Sequence, residues 1–223
     1  MKAAMKPEPL SRERIVAAAV DLIEREGADA VSMRRIATEL GVGVMSLYNH
    51  VPNKSSLLDG VAESVMAQIE FHDDISAPWQ EQVLAQARAL RQIAMHYPRC
   101  TLVVLTRQLR TPAGLLPTER ALATLKRAGF ERDQAVSVLR AFVAYIVGCL
   151  LREVGVTSTF DPAGGGGSIA GSFDATLFPE TADLYGWLAT CDHEAEFEFG
   201  LRMLVEAAAV VPRAPSNTDE PQS

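Results

Sequence analysis

A chain of 223 residues with 48% hydrophobic content can bury a sizeable core and has room for one small and one larger domain. Its 21 Lys and Arg stand against 28 Asp and Glu, a formal net charge of −7. That excludes a uniformly basic nucleic-acid coat, so any contact with phosphates must come from a local positive face.

From the N-terminus, Met1 to Pro9 lacks an apolar core and reads as a disordered segment, 1–9, with no leader peptide. Arg14-Ile15-Val16-Ala17-Ala18-Ala19 through Glu26-Gly27 then reads as a first helix. From Val31 to Leu58 two short apolar-periodic segments are hinged at Gly41. Ile36, Ala37 and Leu40 share one face of the first, Leu47 and Val51 repeat at i, i+4 in the second, and Val42 lies just behind the turn. This is the pattern of a helix-turn-helix.

What the second segment leaves outward is Gly43, Val44, Met45, Ser46, Tyr48, Asn49 and His50. These are short or flat side chains with little charge, suited to a DNA major groove, where Asn pairs with adenine and an apolar group meets the thymine methyl. Arg34 on the first segment is placed to reach guanine O6 and N7, and Ser32 is its N-cap and a phosphate donor. Lys54 opens the next helix, where its ammonium and the helix N-terminus attract a phosphate. Glu39 is the one acid between Val31 and Leu58, against Arg34, Arg35 and Lys54.

Lys54 to Glu70 reads as one helix with Leu57, Leu58, Val61, Val65 and Ile69 along a stripe, and a break follows at His72 to Pro78. Trp79 to His96 is strongly helical, with Val83, Leu84, Ala87, Leu90, Ile93 and Ala94 inward, and Pro98 ends it. Thr101 to Gln108 is a short helix. Thr111-Pro112 caps another that stops at Gly129. Glu131 to Val154 is long and apolar on more than one face, so it needs neighbours on several sides. Its run from Ala141 to Leu151 is too short to cross a bilayer and reads as a central buried helix.

Residues 155–178 change character, with four consecutive glycines, and read as a flexible loop rather than a phosphate cradle. Pro179 to Thr190 and Asp192 to Val211 are the last helices, with Phe197, Leu201, Leu204 and Val205 forming a stripe. The tail 212–223 is polar and disordered.

Cys100, Cys149 and Cys191 are odd in number and lack metal-type spacing, which points to a reduced, cytoplasmic protein. The scattered His72, His96 and His193, with Asp73-Asp74 and Asp192-His193-Glu194, read as loop and cap residues, so no metal or cofactor is expected. No nucleophile and base pair at a usable spacing, so no catalytic residue and no enzyme is expected.

Leu47-Tyr48-Asn49-His50-Val51, then Asn53-Lys54 and Leu57-Leu58, resembles the signature of the tetracycline-repressor (TetR) family of bacterial transcription regulators. Trp79-Gln80, Ala128-Gly129-Phe130, Val147-Gly148-Cys149 and Phe197-Glu198-Phe199-Gly200-Leu201 resemble landmarks of that branch's regulatory domain. The resemblance implies an all-α fold, with a three-helix DNA-binding domain and connecting helix over 10–70 and a larger ligand-binding and dimerisation domain over 75–211. It also implies a homodimer on double-stranded operator DNA, away from any membrane, joined by a four-helix bundle of residues 131–154 and 192–211. Leu201→Glu is then expected to split that dimer.

The departures from the family pattern bear on the ligand. The metal-coordinating imidazole of the tetracycline-binding members is matched by Val104 and a threonine one turn later by Arg107. The amide-bearing and phenyl-bearing positions are Gln86 and Leu90, and Glu70 replaces a contact histidine. The implied pocket of Gln86, Leu90, Val104, Arg107, Val136 and Leu139 lacks the groups that hold a magnesium-tetracycline chelate, so either another small-molecule effector or a constitutive DNA-binding regulator without one is expected.

Overall fold

The computed structural model describes residues 9–72, 74–107, 111–155, 174–188 and 190–212. Most of the expected N-terminal segment, the glycine-rich stretch 156–173 and the tail from 213 lie outside the described residues. Every regular element among those described is helical. The chain divides into two compact units, Met1–Thr124 and Leu125–Ser223.

The first unit opens with α1 (Arg12–Glu26), begun by Ser11, whose hydroxyl accepts the Arg14 amide at 3.2 Å. A 3-10 turn (Ala28–Ala30) leads to α2 (Met33–Leu40) and α3 (Val44–Tyr48). Between these two helices Gly41 adopts φ 66° and ψ 32°, a left-handed conformation that a Cβ disfavours, which is why the hinge is glycine. The helix α4 (Lys54–Met66) follows. It stops four residues short of the expected Glu70, because Gln68 Nε2 donates to the Ser64 carbonyl at 3.1 Å and so satisfies one of the helix's terminal acceptors.

The core of this unit gathers Ile15, Val16, Ala19, Val20, Leu22 and Ile23 of α1, Ile36 and Ala37 of α2, Leu47 of α3, Val51, and Leu57, Val61, Ala62 and Val65 of α4. The periodic positions of the sequence are thus the buried ones. Each fully buried leucine or isoleucine contributes about 1.5–3 kcal/mol, so Leu47 at 0% exposed anchors the five-residue α3 far more strongly than its length could.

Further along, α5 (Trp79–His96) has the bounds expected of it. The proline that ends α5 also starts α6 (Pro98–Leu105) three residues before the expected Thr101, since proline is preorganised for the first helical position. Cys100 and Val103 of α6 join the core of α1 to α4. The helix α7 (Pro112–Arg127) is capped by Thr111, whose Oγ1 accepts the Gly114 amide at 3.3 Å.

In the second unit, α8 (Arg132–Glu153) begins with a reciprocal capping box between Glu131 and Gln134. Next come α9 (Pro179–Leu188), which buries none of its residues, and α10 (His193–Ala209). Ala135, Phe142, Ile146 and Leu150 of α8 and Phe197, Leu201, Val205 and Ala208 of α10 are buried, while the Tyr145 hydroxyl donates to the Glu196 carbonyl at 2.8 Å. As expected of a helix apolar on more than one face, α8 is only partly covered within the chain: Val136 and Val143 remain exposed, as do Phe199 and Met203 of α10. By length and composition α8 alone among the described helices could cross a membrane.

At Gly200 of α10 the Tyr145 ring of α8 lies directly over the backbone, so a Cβ there would run into it. Gly200→Ala is expected to cost about 1–3 kcal/mol through displacement of that ring, read as a lowered midpoint in thermal unfolding.

Candidate nucleic-acid interface and effector pocket

The reading surface is built from the caps outward. Ser32 Oγ accepts the Arg35 amide at 3.1 Å and starts α2 as its N-cap. That places Arg34 and Arg35 on adjacent exposed positions with different fates. Arg35 Nη2 bonds Glu26 at 2.7 Å and Glu39 at 3.3 Å, and Arg25 bonds Glu39 at 3.0 Å. Two of these pairs tie α2 to the end of α1, the third lies within α2, and together they neutralise both carboxylates. Among the described residues Arg34 has no ion pair, and its exposed guanidinium remains available to a polyanion.

On α3, Met45 is 76% and Tyr48 43% exposed, and Gly43 and Ser46 are exposed beside them. Asn49 and His50 are exposed in the turn that follows, with Asn49 as the C-cap, so the helical part of the expected reading segment ends at Tyr48. Val44, expected outward, is half-buried and packs against the core, because the short helix needs a second apolar contact besides Leu47. Asn53, not singled out as a structural residue in the sequence, caps α4 by accepting the Ser56 amide at 2.8 Å. Lys54 stands exposed at the first position of that helix. The resulting surface is polar and carries Arg34 and Lys54, with Glu26 and Glu39 paired to Arg35 and Arg25 beside it.

The six expected pocket residues do not form one constellation in either unit. Gln86 is buried on α5 and donates from Nε2 to Thr124 Oγ1 at 3.1 Å; that hydroxyl donates to Gln82 Oε1 at 3.3 Å. Leu90 is half-buried, and Val104 packs against the core of α1 to α4. Arg107 turns to α4, where it bonds Ser55 and Asp59. Val136 and Leu139 lie on α8 in the second unit, 37% exposed and half-buried respectively. An open groove of about 120 Å³ lies elsewhere in the first unit, lined by Gln68, Ile69, Glu70, Ala89, Gln92, Ile93 and His96. Of its lining residues the family pattern places only Glu70 at a ligand-contact position; the others fall on two segments with no shared period.

Neither cysteine chemistry nor a metal is favoured. Burial, with the Glu24 carboxylate beside it, pushes the Cys100 thiol well above its usual range, which leaves it a poor nucleophile. Cys191 Sγ is 3.1 Å from His193 Nδ1, but the Arg152 guanidinium stands 3.2 Å from the same sulfur and 2.6 Å from Glu196, so the place of a cation is taken. Asp192 is the N-cap of α10, accepting the Ala195 amide at 3.0 Å.

Comparison with known proteins agrees with this anatomy. The family described as bacterial regulatory proteins, tetR family, matches residues 15–61, and the tetracyclin repressor-like C-terminal domain matches residues 74–209. An HTH-type transcriptional regulator of Saccharopolyspora erythraea is 31% identical over 65% of this chain, which spans 61% of that relative's length. The tetracycline repressor protein class A from transposon 1721 of Escherichia coli is 29% identical, over 90% of this chain and 91% of its own. Among solved structures, the TetR family protein ActR of Streptomyces coelicolor in complex with actinorhodin superposes with a TM-score of 0.77 at 29% identity, over 91% of this chain and 98% of that one. With both halves matched and an exposed helix-turn-helix in place, the chain belongs to the TetR family and is an all-α, helix-turn-helix DNA-binding transcriptional regulator.

Proposed function

We propose that the protein is a homodimeric, cytoplasmic repressor that holds a near-palindromic operator and releases it when a small molecule binds the regulatory domain. The observation that carries the DNA-binding half is the exposed set Arg34, Met45, Ser46, Tyr48, Asn49 and Lys54 on a rigidly cored helix-turn-helix. Phosphate contacts from Ser32 and Lys54 set its register, while Arg34 and the α3 side chains read base edges. In functional terms residues 10–70 form the reading head and 75–211 the regulatory and dimerisation domain.

Dimerisation is supported by α8 and α10, which expose Val136, Val143, Phe199 and Met203 to water. A second copy of the same helix pair covers such a surface in a twofold bundle. This reading also accounts for the membrane-like apolarity of α8 without a membrane. Two heads related by that axis meet successive major-groove faces, and a ligand that favours a different head spacing lowers operator affinity.

The effector is a small molecule other than magnesium-tetracycline, since Val104 stands where an imidazole ligand is needed; the ActR complex supports ligand binding by this domain type. One observation favours a constitutive regulator without effector: Gln86, Val104 and Arg107 are each engaged inside the first unit. Melting curves across a metabolite panel separate the two, since a ligand that binds the folded protein raises the midpoint with concentration.

DNA binding itself is tested by gel shift with the protein's own promoter region. Lys54→Ala is expected to weaken binding to all sequences alike and to flatten the salt dependence by about 0.9 in slope for each phosphate that the lysine neutralised. A sequence-dependent effect would instead make Lys54 a base reader.

A further inference from the structure

We infer that Arg107 is a positioning residue for DNA binding, holding the first turns of α4 from outside the helix-turn-helix; the inference rests on the DNA-reading surface proposed above. Its Nη1 is shared among the Ser55 carbonyl at 3.0 Å, the Ser55 hydroxyl at 3.0 Å and Asp59 Oδ1 at 2.6 Å. Ser55 and Asp59 are i, i+4 neighbours, so one guanidinium spans the first and second turns of the helix that presents Lys54. The Arg107 side chain is 22% exposed and that of Asp59 52%. A simple surface ion pair contributes little, whereas a largely covered guanidinium with three acceptors is fixed in direction as well as in charge.

The other end of α6 is fastened too. Tyr97, its N-cap, makes no side-chain bond to the amides of α6. Instead the Glu24 carboxylate of α1 accepts the Cys100 amide at 2.8 Å and the Arg99 amide at 3.4 Å, while the Arg99 guanidinium donates to the Arg25 carbonyl. A carboxylate at a helix N-terminus is favoured by the unsatisfied amides there. With Cys100 and Val103 sunk in the same core, α6 is a strut clamped to α1 by Glu24 and to α4 by Arg107. Only five residues, 49–53, separate α3 from α4, so loosening the Arg107 clamp loosens Lys54 and the exit of the reading helix together.

The experiment is a double-mutant cycle in the full chain with Arg107→Ala, Asp59→Asn, the pair, and Arg107→Lys. Without DNA, hydrogen exchange of the amides at 58–60 is expected to quicken about tenfold in either single variant and no further in the pair. With a promoter fragment, affinity is expected to fall roughly three- to tenfold in each single variant, equally in the pair, and to recover in large part with Arg107→Lys. Asp59→Asn alters an exposed side chain and keeps the test alive should Arg107→Ala not fold. Unchanged exchange at 58–60, or additive losses in the pair, overturn the inference. Quickened exchange in a chain whose unaltered form ignores DNA overturns the DNA-reading assignment instead.

Discussion

Replacing Arg34 with alanine is expected to weaken operator binding by about 1–3 kcal/mol, roughly five- to 150-fold, and to relax the preference at one base pair. The reason lies in how α2 distributes its two arginines. Arg35 is held by Glu26 and Glu39, so it brings no uncompensated charge to a polyanion, and Arg35→Ala is expected to act on stability rather than on base preference. Arg34 differs from it in both respects. Titration of both variants against a promoter fragment and its single-base changes distinguishes them. Unchanged affinity in Arg34→Ala would show that the reading face has been assigned to the wrong side of α2.

The second large effect concerns assembly. Met203→Glu places a carboxylate at a position 55% exposed in the single chain, where it costs the protomer little. Across a twofold interface the same charge is buried without a partner at about 3 kcal/mol or more, and the symmetry applies it twice. The dimer dissociation constant is expected to rise by about four decades, which sedimentation velocity reads directly. Phe199, one turn earlier on the same face and 67% exposed, gives an independent repeat with Phe199→Glu. The expectation that Leu201→Glu would do this is corrected by the structure: Leu201 is 0% exposed within its own chain, so a charge there unfolds the helix pair instead of parting two intact protomers.

That correction shows what periodicity can and cannot reveal. The stripe of Phe197, Leu201 and Val205 was legible because burial recurs every three to four residues. Which apolar face of α10 packs inside the protomer, and which is left for a partner, depends on where Tyr145 and Gly200 let α8 approach, and that is a tertiary fact. The bounds of α5 could be read because Pro98 lies just beyond its end. The start of α6 was misplaced because the same proline that stops one helix opens the next.

The exposure of the polar residues on and after α3 was legible from the apolar spacing of Leu47 and Val51, and so was the hinge at Gly41, whose backbone conformation only glycine adopts readily. Val44 was not, since a five-residue helix uses an N-terminal apolar residue to hold itself to the core. Position-by-position likeness places Val104 and Arg107 among the expected ligand positions; in the structure Val104 packs on the core of α1 to α4 and Arg107 bonds Ser55 and Asp59 of α4, contacts that no periodicity announces. A long cationic side chain reaches whichever carboxylate the fold brings near, and Asp59 is 48 residues away in sequence.

Operator recognition of this kind requires two linked copies of the chain engaging one duplex. Sedimentation velocity of the purified protein, alone and with a fluorescent fragment of its own promoter at low salt, tests this most directly. The expected result is a dimer in the absence of DNA and a complex of two protomers per duplex that weakens steeply as salt rises. A monomer that leaves the duplex sedimenting as free DNA would contradict it.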